Sequence, residues 1–453
     1  MMRKAMLSLV LSVVLAASLF AARGQAQVPL AVSISDIKMT SHGRVRFDVL
    51  IAGLQPELQP TIEGTAILGG QTIQGHLGPA VASRIPAAFD LPAGRIRIGG
   101  DAAVAEFAPV PPLQENMPVT IAITVRQGDQ VANARETGTL LLPTVVVPGY
   151  LNDMSGKPNA SIVATLQQRG YRSTGTSPNL FWFTYPSRSL DLEGAARALA
   201  DYVRDVVLPA TYAARINVVG YSLGGLLVRW NMAFESGWDR LVNRFMMVGV
   251  PNEGAVMSYV DGWYFLAAPW AGTQVARTLL PTFPFWRAAP GTPWSIPSDA
   301  PNPGLAELNT HPLPDGVRVY AYYGDRKPDP GGAGTWAGVT GQLPKATFSF
   351  GPGDGIVLAA SALGEAINGG TAVPGLADHL VMNVDLGPVG HLTLLDAAIP
   401  QIADVLTDRG APGVSVIPRS GEGSGRSARD GAGNRAGMLD MSAGFLTMAG
   451  GSR

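Results

Sequence analysis

The sequence predicts two folded domains in tandem: a small all-β domain, then an α/β domain with a mostly parallel sheet and helices on both faces. Three observations predict it. The chain has 453 residues, more than one average domain. From about Val28 to Leu142, short β-branched or alternating runs are separated by Gly, Pro, Asn and Asp, with no helical periodicity between them. After Thr139 the pattern changes to strands alternating with helices, the arrangement of a parallel sheet.

In the first region Arg44–Ile51, Ile62–Leu68, Ile96–Ile98 and Val119–Val125 read as strands, with turns at Gly69-Gly70, Gly99-Gly100-Asp101 and Gln127-Gly128-Asp129. Several strands without helices predict a sandwich-like domain over 27–141. His42 and His76 sit beside glycines in predicted turns, and no chemical motif appears there. Contact with a surface or polymer is the role left to this domain.

In the second region Leu140–Val147 is a near-continuous apolar run, as expected of a strand covered on both faces. Ile162–Arg169 reads as a helix and Phe181–Tyr185 as a strand. Asp191–Ala214 reads as one long helix, with Leu192, Ala195, Ala196, Leu199, Tyr202, Val203 and Val206 on one face. Strand Arg215–Val219, helix Leu223–Glu235 and strand Phe245–Val250 follow. After an insertion come strands Val317–Tyr323 and Leu380–Asp385 and a closing helix, Leu392–Leu406. This domain spans 142–409, with a cap at about 255–312. The remaining 410–453, rich in Gly, Ser and Arg, read as a disordered tail.

Composition excludes several functions. Apolar residues make up 46%, charged residues 15%, and 33 basic side chains nearly cancel 34 acidic ones. A nucleic-acid partner would call for a basic surface, so none is expected. There is enough apolar material for a core. With no cysteine, disulfides, thiolate metal sites, iron–sulfur clusters and a cysteine nucleophile are excluded. Five histidines make any histidine-dependent chemistry a short search.

At the start, Arg3 and Lys4 precede an apolar run from Ala5 to Ala22, followed by Gly24-Gln25-Ala26. Residues 1–26 therefore read as a cleavable signal peptide, giving a secreted or periplasmic protein. The run is close to the length that spans a bilayer, so an uncleaved signal anchor is the competing reading. No later segment is long and apolar enough for a stable membrane span.

Gly220-Tyr221-Ser222-Leu223-Gly224 is a G-x-S-x-G string set between a predicted strand and a predicted helix. That context is what a nucleophile elbow requires, and it makes Ser222 the candidate nucleophile. The competing reading is a Gly-rich loop that binds phosphate at a helix start. A serine hydroxyl needs a base, usually histidine, and in an elbow fold the acid and then the histidine follow the serine. Of His311, His379 and His391, only His391 falls on the loop end facing the elbow. Two aspartates compete as its acid partner: Asp354 in Gly351-Pro-Gly-Asp-Gly-Ile-Val357, and Asp325 beyond the strand ending at Tyr323.

Five blocks in order resemble the lecithin:cholesterol acyltransferase-like α/β-hydrolases, a family that includes lysosomal phospholipases and bacterial lipases. They are Val145–Leu151, Gly220–Gly225, Val317–Gly324, Gly353–Val357 and Gly390-His391, within about Leu142 to Leu406. The resemblance implies an α/β-hydrolase fold with Ser222 as nucleophile, Asp354 as acid and His391 as base. It also implies an oxyanion hole made by the backbone N–H groups of Leu223 and Tyr150. The chain departs from the family after Val250, where Pro251-Asn-Glu-Gly254 replaces the usual Pro-Trp-Gly-Gly.

Trp263, Trp270, Trp286 and Trp294 fall in the insertion with several Tyr and Phe. Most of these aromatics are expected to form the cap's own core, while Trp263 and Trp286 are candidates to line an acyl pocket. The expected protein is thus an exported serine hydrolase of lipid or other acyl esters, lipase- or esterase-like. It needs no cofactor, and no metal-ligand spacing stands out. The alternatives are a phospholipid acyltransferase using the same three residues, or a non-catalytic secreted protein that binds through its β domain.

Overall fold

The computed structural model describes residues 28–40, 43–55, 58–68, 70–79, 84–98, 103–106, 108–150, 160–174, 178–187, 191–255, 279, 282, 302–325, 352–367 and 372–409. The expected signal peptide, most of the expected cap and the expected tail lie outside these residues.

Among the described residues the first region holds nine strands: β1 (Ala31–Thr40), β2 (Arg44–Ala52), β3 (Thr61–Leu68), β4 (Gln71–Pro79), β5 (Arg84–Asp90), β6 (Arg95–Ile98), β7 (Ala103–Glu106), β8 (Met117–Gln127) and β9 (Gln130–Leu140). They form two antiparallel sheets, β1-β2-β5-β6-β7 and β4-β3-β8-β9. Strict alternation makes the core. Val45, Phe47, Val49 and Ile51 of one sheet and Val119, Ile121, Ile123 and Val125 of the other are all buried in one cluster. His76, expected in a turn beside glycine, lies instead on β4, opposite Glu63 of β3, with a register shift between Thr61 and Glu63.

The apolar run Leu140–Val147 is not one strand. β9 ends at Leu140 and β10 (Thr144–Val147) starts a new sheet, with Pro143 between them unable to donate to a ladder. The second sheet is six-stranded and wholly parallel, in the order β11-β10-β12-β13-β14-β15. Its further strands are β11 (Leu180–Trp182), β12 (Ile216–Tyr221), β13 (Val242–Val248), β14 (Arg318–Tyr323) and β15 (Leu380–Asp385). Helices cover both faces: α1 (Ala160–Gln168), α2 (Leu192–Tyr202), α3 (Leu223–Phe234) and α4 (His391–Leu406). Val218 and its neighbour Val219 sit in different clusters, one with α2 and α3, the other with α1 and α4. That division is the sequence signature of a doubly covered strand.

The predicted helix Asp191–Ala214 stops at Ala210 and widens to π geometry over Val203–Val207. Pro209 accounts for it. Its ring has no N–H and would collide with the carbonyl four residues back, so the chain bonds Leu208 N–H to Val203 O instead.

Strand order fixes where a site can form. From β10 the chain passes to β11 on one side and then to β12 on the other. The helices that follow β10 and β12, α1 and α3, therefore cover opposite faces, which makes the C-terminal ends of these two strands the switch point of the sheet. The β domain docks at the opposite end. Leu113 pairs with Ala213 just before β12, donating to Tyr212 O and accepting from Ala214 N–H. The Asn116 amide donates to Leu406 O at the end of α4 (2.9 Å) and accepts from Leu142 N–H (2.8 Å). Among the described residues no helix is long and apolar enough to cross a membrane.

Candidate active site

β12 runs straight into α3, and Ser222 is the residue between them. Its φ is 53° and its ψ −127°, and Ser222 and Asp408 are the only non-glycine residues with positive φ among those described. Such a backbone costs an L-residue about 1–3 kcal/mol and persists only where the surroundings impose it. Ser222 N–H donates to Val248 O and Ser222 O accepts from Gly225 N–H (2.9 and 3.0 Å), which impose it here. The turn falls on the serine itself, and the flanking glycines serve close approach. A Cβ on Gly224 would lie 2.2 Å from Val147 O, so only glycine lets the start of α3 rest on the end of β10.

His391 is the first residue of α4. Its Nε2 is 2.9 Å from Ser222 Oγ and its Nδ1 is 2.6 Å from Asp354 Oδ2. All three residues are buried. Asp354 is held by its own loop: Oδ1 accepts from Ile356 N–H (3.0 Å) and Val357 N–H (2.8 Å), which leaves Oδ2 for the imidazole. The same loop carbonyl, Asp354 O, accepts from His391 N–H at 3.0 Å. The Gly-Asp-x-x-Val spacing is thus the spacing of a turn that closes on its own carboxylate. Asp325, the competing aspartate, takes no part; its N–H donates to Gly387 O (2.9 Å). His379 is at the far end of the sheet, with Nδ1 3.1 Å from Val317 O. His311 stacks edge-on with Phe234 on the outer side of α3.

With an ionised carboxylate on Nδ1, that nitrogen donates and Nε2 is the acceptor facing the serine hydroxyl. A hydroxyl so placed can lose its proton to the imidazole as it attacks a carbonyl carbon.

Leu223 opens α3, and a helix start points backbone N–H groups outward along its axis. Tyr150 follows β10 by three residues. Its loop is held by Tyr185, whose hydroxyl donates to Pro148 O (3.1 Å). A Cβ on Gly149 would lie 2.8 Å from Ser222 Cβ, so the backbone entering Tyr150 passes directly beside the serine. Trp263 and Trp286 lie outside the described residues.

Sequence reasoning missed two features. Tyr221 is buried beneath His391: its hydroxyl donates to His391 O (2.6 Å), and the two rings stack at 5.3 Å and 29°. The second feature lies behind the elbow. Arg229 of α3 is fully buried and donates through Nη1 to Asn252 Oδ1 (2.9 Å) and Asn309 Oδ1 (3.0 Å). Asn309 in turn donates to Glu253 Oε1 (2.9 Å), and Thr282 donates to Glu253 Oε2. Burial pushes the Arg229 guanidinium down to about 10, with Glu253 pulling it back up. It therefore stays charged at neutral pH. Asn252 and Glu253 are the residues at which the chain departs from the resembled family, so that departure builds this cluster. Residue types so ordinary offered no signal.

The parallel sheet with helices on both faces, the switch between β10 and β12, and a strained serine between strand and helix define an α/β-hydrolase fold. No protein-family model matches the chain, and no curated protein matches it. Solved structures show distant likenesses. A metagenomic carboxyl esterase is 15% identical with a TM-score of 0.35, over 59% of this chain and 76% of its own. A Listeria innocua gene product is 12% identical with a TM-score of 0.33, over 58% of this chain and 92% of its own. An esterase from Pyrococcus furiosus is 10% identical with a TM-score of 0.29, over 68% of this chain and 98% of its own. The fold is defined by the chain's own strand order and elbow.

Proposed function

We propose that the protein is a serine hydrolase of carboxylic esters, acting on lipid or other acyl esters through a covalent acyl-enzyme. The observation that carries this reading is the 2.9 Å approach of His391 Nε2 to the hydroxyl of a serine held at φ 53°. In the first step Ser222 Oγ adds to the ester carbonyl carbon while His391 Nε2 takes its proton. The tetrahedral oxyanion is received by the N–H groups of Leu223 and Tyr150, and donors of this kind are each worth about 3 kcal/mol to the transition state. The intermediate collapses, the C–O bond to the alcohol breaks, and the imidazolium returns its proton to the departing alkoxide. Water, deprotonated by His391, then releases the acid and regenerates Ser222. Asp354 holds the imidazole in the tautomer this sequence needs and stabilises the imidazolium.

The finer parts of the reading follow from the sequence. Export by a signal peptide, kinship with the lecithin:cholesterol acyltransferase-like enzymes and an acyl pocket lined by Trp263 and Trp286 belong to it, as does surface contact through the β domain. Near-neutral charge points to shape and apolar burial as the basis of substrate choice. The test is a series of aryl esters of rising acyl length beside a phospholipid. Hydrolysis by the native chain and none above background by Ser222→Ala is the expected result. Full activity in Ser222→Ala overturns the mechanism. An unchanged ratio of long- to short-chain activity in Trp263→Ala and Trp286→Ala removes those two from the acyl pocket.

A further inference from the structure

We propose that Tyr221, the residue before the serine, is a positioning residue for His391; the proposal rests on the roles given above to Ser222, His391 and Asp354. Tyr221 ends β12 and, by strand alternation, turns to the face covered by α4, where it packs in the same cluster as Leu394 and Leu395. From there it touches His391 at two separate places. Its hydroxyl donates to the His391 carbonyl at 2.6 Å, and its ring lies along the imidazole with centroids 5.3 Å apart.

The first contact fixes the backbone. Gly390, which caps α4, offers no side chain to tie down the start of the helix. His391 is tied instead by its N–H to Asp354 O and by its carbonyl to Tyr221. These two anchors come from different elements, the acid loop and the nucleophile strand. The strand that delivers Ser222 thereby also sets the height of the base above it. A 1 Å drift between nucleophile and base lowers the rate by roughly a hundredfold, so such a link matters to the chemistry.

The second contact acts when charge appears. Once the imidazole takes the serine proton it becomes a cation at a helix N-terminus, where the helix dipole opposes positive charge. The π face of Tyr221 is within the range at which an aromatic ring attracts a cation, and it adds to the attraction of Asp354. Asp354, Ser222 and Tyr221 all contact the imidazole. Because the cation exists only along the reaction path, loss of the ring should lower kcat and leave KM in place.

The experiment uses the full chain, a soluble aryl ester and a phosphonate titrant that counts working serines. In Tyr221→Phe the ring stays and the hydrogen bond goes; kcat per titrated site should fall about threefold to tenfold with KM unchanged. In Tyr221→Leu both contacts go, and kcat per titrated site should fall by about a further tenfold. The proton NMR signal of the Nδ1–H bond to Asp354, far downfield in the native chain, should persist in Tyr221→Phe and broaden or vanish in Tyr221→Leu. A kcat per titrated site within about twofold of native in both variants, with only the number of sites reduced, overturns the proposal and leaves Tyr221 a packing residue. Ser222→Ala is measured alongside. If it keeps hydrolysing the ester, the reading of the site fails; if it is inactive while both Tyr221 variants keep their kcat, the role of Tyr221 alone fails.

Discussion

Two polar clusters are buried along a single helix, α3, and they are built to opposite ends. Behind the elbow, Arg229, Asn252, Asn309 and Glu253 form one buried network with each other, with Thr282 and with the carbonyls of Ser361 and Ala362, and both Glu253 oxygens have donors. At the front, Ser222, His391 and Asp354 make a chain that ends on a hydroxyl held at φ 53°. The rear cluster is an endpoint of folding, while the front one keeps strain and a transferable proton. The rear supports the front. Arg229 grips Asn252, two residues after Val250, and Val250 packs so tightly on the first turn of α3 that a Cβ on Gly225 would lie 2.1 Å from its Cγ2. Strain at a reactive residue is tolerated where its surroundings over-determine it, and here the bonds of Ser222 with Val248 and Gly225 and the contact of Val250 with Gly225 do so.

The contrast predicts which changes damage chemistry and which damage folding. The largest effect belongs to the front: Ser222→Ala or His391→Ala should lower kcat by about 10⁴- to 10⁶-fold with the thermal midpoint hardly moved. Asp354→Asn should cost about 10⁴-fold, since the amide can present a donor to Nδ1 and favour the wrong tautomer. At the rear, Glu253→Ala leaves the Arg229 charge buried without its acid. It should destabilise the fold by about 3–5 kcal/mol in urea unfolding, while kcat per titrated site stays native. If Glu253→Ala lowers kcat per site as much as Asp354→Asn, the division between the clusters fails. A smaller effect runs the other way: Ser222→Gly should abolish activity yet stabilise the chain by about 1 kcal/mol, because glycine adopts φ 53° without penalty. The change that leaves activity untouched lies at the far end of the sheet. Asn116→Ala loses the bonds that tie the β domain to Leu406 and Leu142, and should cost about 1–2 kcal/mol in unfolding with ester hydrolysis unchanged.

What the sequence revealed and what it hid divide along the same line. The elbow was legible because strand, serine and helix are consecutive, whereas spacing alone left Asp354 and Asp325 in competition and only the family resemblance favoured Asp354. The alternation of Val45–Ile51 and Val119–Val125 exposed two strands of the β domain. β5 stayed hidden because Pro86 and two alanines carry no β-branched signal. Pro143 and Pro209 were in plain view, and each marks the place where a predicted element is divided or reshaped. Tyr221 and the Arg229 cluster could not be read, because their partners lie 170 and 23 or 80 residues away and only packing brings them together. Local chemistry left a local pattern, and support built from distant residues left none.

The central claim is that Ser222 becomes acylated. It is tested most directly by quenching the chain in acid during turnover of an aryl ester, digesting it, and weighing the peptide that contains Gly220–Gly225. The expected result is the mass of the acyl group on Ser222 of that peptide, at up to one per chain, and none in Ser222→Ala. Steady hydrolysis with that peptide unmodified, or an acyl group found on another residue that turns over at the rate of catalysis, contradicts it.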